Sequence, residues 1–406
     1  MPHALLLAPW FPPSPGGAER YAHRLFTHAP QSGWTVSVAT DGHTGSLRET
    51  VPEYEAGVHR LTRYTEQLAD SRRVAWRSMQ FAVLDDLRNV LDDLGAVDLV
   101  HANSIETAVL GRIVADHHGV PLVVTIHEHA PQNETFGRGR LQLVFRRLAP
   151  DAVVAPSSFY YDRARAEGVP SERIHLIPHG VEVPAVVPAR PAAGYGPAWG
   201  LPEDTWIALC VGRIYRPKGT LELIRAAAIA RRHVPRLRVM IVGPDGPSAY
   251  ARAARDEARR LGLDDVVRFA GPRLPEEMPG VLSQADAIVA PSLAEGFGLA
   301  VAEGMGLGKP VVATAVGGLA DLVTHGVNGE VVTAGDPQSL AEALVRLATD
   351  PERCARLGAA ARRSVLEHHD VGKMAAETTA LYEHLVTTRS PDRLAAPEDN
   401  TAGVTR

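Results

Sequence analysis

Apolar positions along this chain fall into short, nearly continuous runs, separated by longer stretches in which they recur every three or four residues. In the first half the runs are His3 to Ala8, Trp34 to Thr40, Val97 to Ala102, Pro121 to His127, Asp151 to Pro156 and Ile174 to Pro178. In the second they are Trp206 to Val211, Leu237 to Gly243, Val266 to Gly271, Ala287 to Pro291 and Pro310 to Thr314. Runs this short without polar alternation suit strands buried on both faces, and the helical spacing between them predicts crossover connections, hence two parallel α/β sheets. Residues 185–200, rich in Pro, Ala and Gly and lacking either period, divide a first domain, 1–184, from a second, 201–369. A last helical pattern over about 370–387, with Met374, Leu381 and Leu385 among its apolar positions, follows a complete second sheet and is expected to pack back on the first domain. Residues 388–406 offer little to bury and are expected to form a disordered tail.

Composition narrows the function classes. A chain of 406 residues exceeds what one core usually organises, which agrees with two domains. Net charge is -5, and residues 1–184 carry 17 basic against 21 acidic side chains, so no broad positive field awaits a nucleic acid. Cys210 and Cys354 stand far apart and define neither a disulfide framework nor a metal cluster. The start, MPHALLLAPWFPP, lacks a basic leader region and its apolar run stops at Pro9, so it reads as a buried strand and the protein as cytoplasmic, without a membrane span. Basic residues are 39 Arg and three Lys, at 218, 309 and 373, which adds interest to each lysine that is kept.

Candidate chemistry collects where predicted strands end. The first strand runs into Gly16 and Gly17 at a helix start, where backbone amides and partial positive charge suit a phosphate. The strand WIALCVG is followed by Arg213 and Lys218, two cations at the carboxyl end of a strand, the edge where open α/β sheets bind ligands. Pro291 to Glu303 places Glu295 in a loop, Phe297, Gly298 and Leu299 at a helix start, and Glu303 within the helix. Carboxylates accept from vicinal hydroxyls, so these two suit a sugar and a ribose, while the Gly298 and Leu299 amides suit a phosphate. His127 ends another strand and can touch a sugar. His129, two residues on, diverges from it on an extended chain, and no Asp-x-Asp pair stands at a strand end, so no metal is expected.

Together GGAER, VVTIHEH, IPHGVE, VGRIYRPKG and PSLAEGFGLAVAEGMGLGKPVVAT resemble the retaining nucleotide-sugar glycosyltransferases of glycosyltransferase family 4, over residues 3 to about 386. The resemblance implies a GT-B fold: two Rossmann-like, doubly wound parallel-sheet domains facing a central cleft. It implies that Gly17, Arg213 and Lys218 hold the donor diphosphate, Glu303 the ribose, Glu295 the sugar hydroxyls, and His127 a hydroxyl near the reacting carbon. Arg273 and Leu274 are expected to flank the base. It also implies retention without a metal or other cofactor, the departing diphosphate helping to deprotonate the acceptor. One departure stands out: His179, Gly180, Val181 and Glu182 occupy positions where the family commonly has Asn, Gly, Val and Asp.

The expected reaction is transfer of a hexose or N-acetylhexosamine from a nucleotide-sugar, a UDP-sugar by preference, to a small polyol or aminocyclitol-like acceptor. An Arg-rich, Lys-poor chain suits a high-GC bacterium, in which such enzymes build thiols, glycolipids or antibiotics. The acidic first domain, with Glu106, Glu128 and Glu134 near strand ends, favours the small acceptor. Arg138, Arg140, Arg146 and Arg147 interleave with Leu141, Val144, Phe145 and Leu148, which keeps open a lipid acceptor and peripheral membrane contact. A GT-B epimerase or phosphorylase could use the same clamp, and a non-catalytic binding subunit is the alternative of another class. A nicotinamide dehydrogenase is disfavoured because no G-x-G-x-x-G closes the first strand.

Overall fold

The computed structural model describes residues 1–12, 14, 16–41, 57–61, 85, 87–127, 139–187, 189, 194–246 and 248–388. Among the described residues thirteen strands form two parallel sheets. The first contains β1 (His3–Ala8), β2 (Thr35–Asp41), β3 (Val58–Leu61), β4 (Leu99–Ala102), β5 (Leu122–Thr125), β6 (Ala152–Ala155) and β7 (Ile174–Leu176), in the order β3-β2-β1-β4-β5-β6-β7. The second contains β8 (Trp206–Val211), β9 (Leu237–Val242), β10 (Val267–Gly271), β11 (Ala287–Ala290), β12 (Val311–Thr314) and β13 (Glu330–Val332), in the order β10-β9-β8-β11-β12-β13. Each sheet reverses its winding direction once, between β1 and β4 and between β8 and β11. Those reversals open the crevices in which doubly wound sheets bind ligands.

The eleven expected strands are present, and β3 and β13 join them. Neither shows an apolar run: β3 reads VHRL with three half-buried residues, and β13 is the three-residue EVV at a sheet edge. The central strands are buried throughout, as in β4, β5, β6, β11 and β12. Apolar cores lie on both faces of each sheet.

Two segments outside the sheets are anchored in the cores, and the second crosses between the domains. Tyr195, just before β8, is buried in the second core, where the Lys309 ammonium donates to its hydroxyl at 2.8 Å and to the Ser283 carbonyl at 2.7 Å. One of the three lysines is therefore a structural tie. The helix Val371–Thr388 leaves the second domain and buries Val371, Met374, Leu381 and Tyr382 in the core beneath β1 and β4. Residues beyond 388 lie outside the described set.

Gly180 makes that return possible. A Cβ at this position would stand 2.5 Å from the Val371 Cα and 2.9 Å from the Asp370 carbonyl, both backbone atoms. Overpacking against backbone typically costs about 1–3 kcal/mol. Gly180→Ala is therefore expected to lower the urea midpoint with little change in slope, and an unchanged midpoint would show that the returning helix is not seated this closely.

Candidate functional site

The two sheets present their carboxyl edges to one another, and the expected residues other than Arg273 and Leu274 gather at those edges. After β8 the chain turns through Arg213 to Lys218, and after β11 through Ser292 to Glu295. Lys218 Nζ donates to Glu295 Oε2 across this reversal, with the two side chains 23% and 11% exposed. Burial pulls the Lys218 pKa down, but the adjoining Glu295 carboxylate outweighs it and holds the ammonium above the usual lysine value. Ser292 Oγ donates to the same carboxylate oxygen at 3.3 Å. Arg213 is exposed, 5.8 Å from the Tyr215 ring centre.

Two helix N-termini converge on this pair. The helix Leu299–Gly306 begins at Gly298, whose φ of 99° and contact with Leu319 leave no room for a side chain. Across the cleft the helix Gly17–His28 begins, and a Cβ on Gly17 would stand 3.2 Å from Leu299 Cδ1. The first turns of the two helices thus face each other from opposite domains. Glu19 folds its carboxylate back over Gly16, so that any side chain there would overlap it. Burial raises the Glu19 pKa, partly opposed by its own backbone amide and by Arg20 and Arg213. The anion-binding end of this helix is capped by a carboxylate of its own first turn.

Glu303 is held from the opposite domain. Arg20 Nη1 donates to both its oxygens, at 2.6 and 2.8 Å, and Arg24 Nη2 to Oε1 at 2.7 Å. Arg24 also donates to the Gly180 carbonyl at 3.0 Å. A ribose at Glu303 would have to share or exchange these bonds. Arg273 and Leu274 stand apart, after the edge strand β10. The Arg273 guanidinium turns back to the Ala270 and Pro272 carbonyls, and Leu274 is exposed.

Of the residues that close the cleft, Ser157, Ser158, Tyr160 and Asp321 had no signal in sequence. Ser157 Oγ donates to the Gly296 carbonyl at 3.0 Å, and Ser158 donates from its backbone and hydroxyl to Asp321 at 2.7 and 2.6 Å. Asp321 thereby caps a helix of the other domain. Tyr160 donates to the His127 carbonyl at 2.7 Å and lies so close to Gly296 that a Cβ there would collide with its hydroxyl. His179 stacks on His127 with ring centres 5.1 Å apart and meets Phe297 edge-on at 5.0 Å. The departure from the family's Asn therefore places an aromatic bridge between the domains. Among the described residues no three His, Cys, Asp or Glu side chains are grouped as a metal site. A concavity of about 610 Å³ lined by Thr205, His233, Arg236 and Arg238 opens at the amino ends of β8 and β9, the edge such sheets do not use for ligands. Glu128, His129, Glu134 and Arg138 lie outside the described residues.

Comparisons with known proteins agree with this architecture. Residues 15–183 match the family model for Glycosyltransferase Family 4, and residues 196–364 the model for Glycosyl transferases group 1. A Kineococcus radiotolerans protein named D-inositol 3-phosphate glycosyltransferase is 34% identical over 94% of this chain and 93% of its own. The Thermobispora bispora protein of that name is 34% identical over 66% of each chain, so this chain spans just under two thirds of that relative. In fold, it is similar to Anabaena Alr3699/HepE in complex with UDP and glucose, with a TM-score of 0.78 and 24% identity over 95% of this chain and 100% of that one. Sucrose-phosphate synthase from Thermosynechococcus elongatus gives the same score and identity over 96% and 100%.

Desolvation lowers the pKa of four histidines, three lining the cleft and His101 in the core behind it. His101 and His127 are pushed down to about 3 and His369 to about 4, and His179 lies well below the ordinary value, chiefly through desolvation. The unfolded chain takes up protons below about pH 6.5 while the folded one does not, so stability is full above that pH and is lost as pH falls toward 4. The loss is on the order of 1 kcal/mol per histidine per pH unit. Urea midpoints should fall between pH 7.5 and 5, less steeply in His179→Asn, and a flat profile would contradict the neutral assignment.

Proposed function

The chain belongs to glycosyltransferase family 4, and on that footing we propose that it moves a hexosyl or N-acetylhexosaminyl group from a nucleotide-sugar, a UDP-sugar by preference, to a small polyol or aminocyclitol-like acceptor. Retention at the anomeric carbon and independence of metal and cofactor are part of the proposal. One observation carries it: two helix N-termini from opposite domains meet beside the Lys218–Glu295 pair, with Arg213 at the same strand end. Such a site is matched to a diphosphate whose charge grows as the sugar leaves.

In this reading Lys218 and Arg213, with the amides of Gly17, Gly298 and Leu299, stabilise the leaving diphosphate. Glu295 accepts from sugar hydroxyls while Lys218 neutralises it. Glu303 takes the ribose, His127 a sugar hydroxyl, and the loop holding Phe297 is steadied by Ser157 and Tyr160. As the anomeric C–O bond breaks, the freed phosphate oxygen takes the acceptor's proton on the same face, so the new bond forms there and no enzyme nucleophile is needed. The polyol acceptor is supported by the names of the relatives. UDP and glucose are bound in the Anabaena complex of this fold, which puts UDP-sugars first in a donor panel.

A lipid acceptor is the second reading. Val109, Ile113 and Leu143 are exposed on two packed elements, beside exposed Arg140, Arg146 and Arg147. Arg140 pairs with Glu106 at 3.1 Å and Arg146 donates to the Glu167 carbonyl at 2.8 Å, so part of this basic surface is already engaged.

Nucleotide release from a panel of UDP-, GDP-, ADP- and dTDP-sugars in EDTA tests both. Release stimulated by a soluble polyol supports the proposal, stimulation only by acceptor lipid in vesicles favours the second reading, and binding without release indicates a non-catalytic subunit. Lys218→Ala should lower kcat by about 10²–10³-fold, the usual loss for one preorganised charge-stabilising donor. Near-normal turnover in that variant would sink the assignment.

A further inference from the structure

Glu303 is nearly saturated before any ligand arrives. A carboxylate has about four acceptor sites. Three of those on Glu303 are taken, two by Arg20 Nη1 at 2.6 and 2.8 Å and one by Arg24 Nη2 at 2.7 Å. A ribose donating through two vicinal hydroxyls needs one site more than remains, so an arginine has to let go. Arg24 is the worse placed to do so: its side chain is 9% exposed against 23% for Arg20, and its other terminal nitrogen donates to the Gly180 carbonyl at 3.0 Å. Arg20 is the one that leaves, and a released guanidinium in this half-buried space needs another anion. Its backbone amide donates to the Gly16 carbonyl at 3.3 Å, which sets it in the first turn of the Gly17–His28 helix. Glu303 stands four residues after Leu299, so the guanidinium it grips lies about one helical turn from the two facing helix starts. The charge of Arg20, with that of Arg213, already acts on the Glu19 carboxylate over Gly16.

We propose that Arg20 is a donor-binding residue that changes partner: it yields the two Glu303 oxygens to the ribose hydroxyls and turns to the diphosphate, while Arg24 stays. The proposal rests on the reading that Glu303 takes the ribose and the facing helix starts take the diphosphate. It couples the two halves of the nucleotide, because the ribose releases the cation that the diphosphate then uses. Arg20 thus opposes a bare nucleoside and favours a nucleoside diphosphate. A residue that only tied the domains together would treat the two ligands alike.

The test measures Kd on the full chain for UDP, GDP and ADP by calorimetry, and for uridine, guanosine and adenosine by ligand-detected NMR. The pair whose diphosphate binds more tightly than its nucleoside is carried into the variants. Arg20→Ala should weaken the diphosphate by about ten- to a hundredfold, the scale of a hydrogen bond to a charged group. It should leave the nucleoside bound at least as tightly as before, since Glu303 no longer has to be won from Arg20. Arg20→Lys, whose ammonium meets a phosphate but cannot fork across a carboxylate, should keep the diphosphate within about fivefold. Arg20→Gln keeps a donor for Glu303 without the charge, and carries the same measurement where the alanine variant does not fold. A ratio of nucleoside to diphosphate Kd that falls by less than about fivefold in the uncharged variant overturns the proposal and leaves Arg20 a tie between domains. In that case the diphosphate still binds and the reading of the cleft stands. If none of the three diphosphates binds better than its nucleoside to the unaltered protein, that reading fails, and the proposal with it.

Discussion

The cleft is governed by charge compensation in a half-buried space. Arg20, Arg24, Lys218 and two helix N-termini are brought within a few residues of one another, with Arg213 at their margin, and water has limited access to them. A concentration of positive charge at low effective dielectric is stable only when it is answered. The protein answers it with Glu19, Glu295 and Glu303, each placed against a different cationic group or helix end. The closed arrangement of the domains follows, because the Glu303 bonds to Arg20 and Arg24 exist only when the two sheets face each other.

On the proposed function, the donor brings the groups that this arrangement can answer. A diphosphate offers negative charge for the Gly17 and Leu299 turns, and a sugar and a ribose offer hydroxyls for Glu295 and Glu303. Such a donor can take over the compensation that carboxylates supply, exchanging internal ion pairs for bonds to itself. The exchange has to be one for one, because the Arg24 and Glu303 side chains are only 9% and 11% exposed and a largely buried pair broken without a replacement partner is strongly destabilising.

Much of this was legible in the sequence because chemistry and topology coincide in doubly wound sheets. Gly17, Arg213, Lys218 and Glu295 each follow a strand, and strand ends can be read from apolar runs. The strands β3 and β13 were not legible, since short edge strands need no apolar run. The contacts that close the cleft were hidden for a different reason. Arg20 and Glu303 are 283 residues apart, Ser158 and Asp321 163, and Ser157 and Gly296 139. No local pattern encodes a bond that forms only when two separately folded halves meet. His179 was visible only as a departure from the family's residue, and its stacking on His127 gives that departure a physical cause.

The most direct test of the account is a crystal structure of the protein with UDP bound. The account predicts the diphosphate between the Gly16–Gly17 turn and the Gly298–Leu299 helix start, within reach of Lys218 and Arg213, with the Glu19 carboxylate moved off Gly16 and the ribose at Glu303. UDP bound elsewhere, or bound while Glu19 still covers Gly16 and Arg20 still grips both oxygens of Glu303, would contradict the idea that the ligand takes over the charge compensation of the cleft.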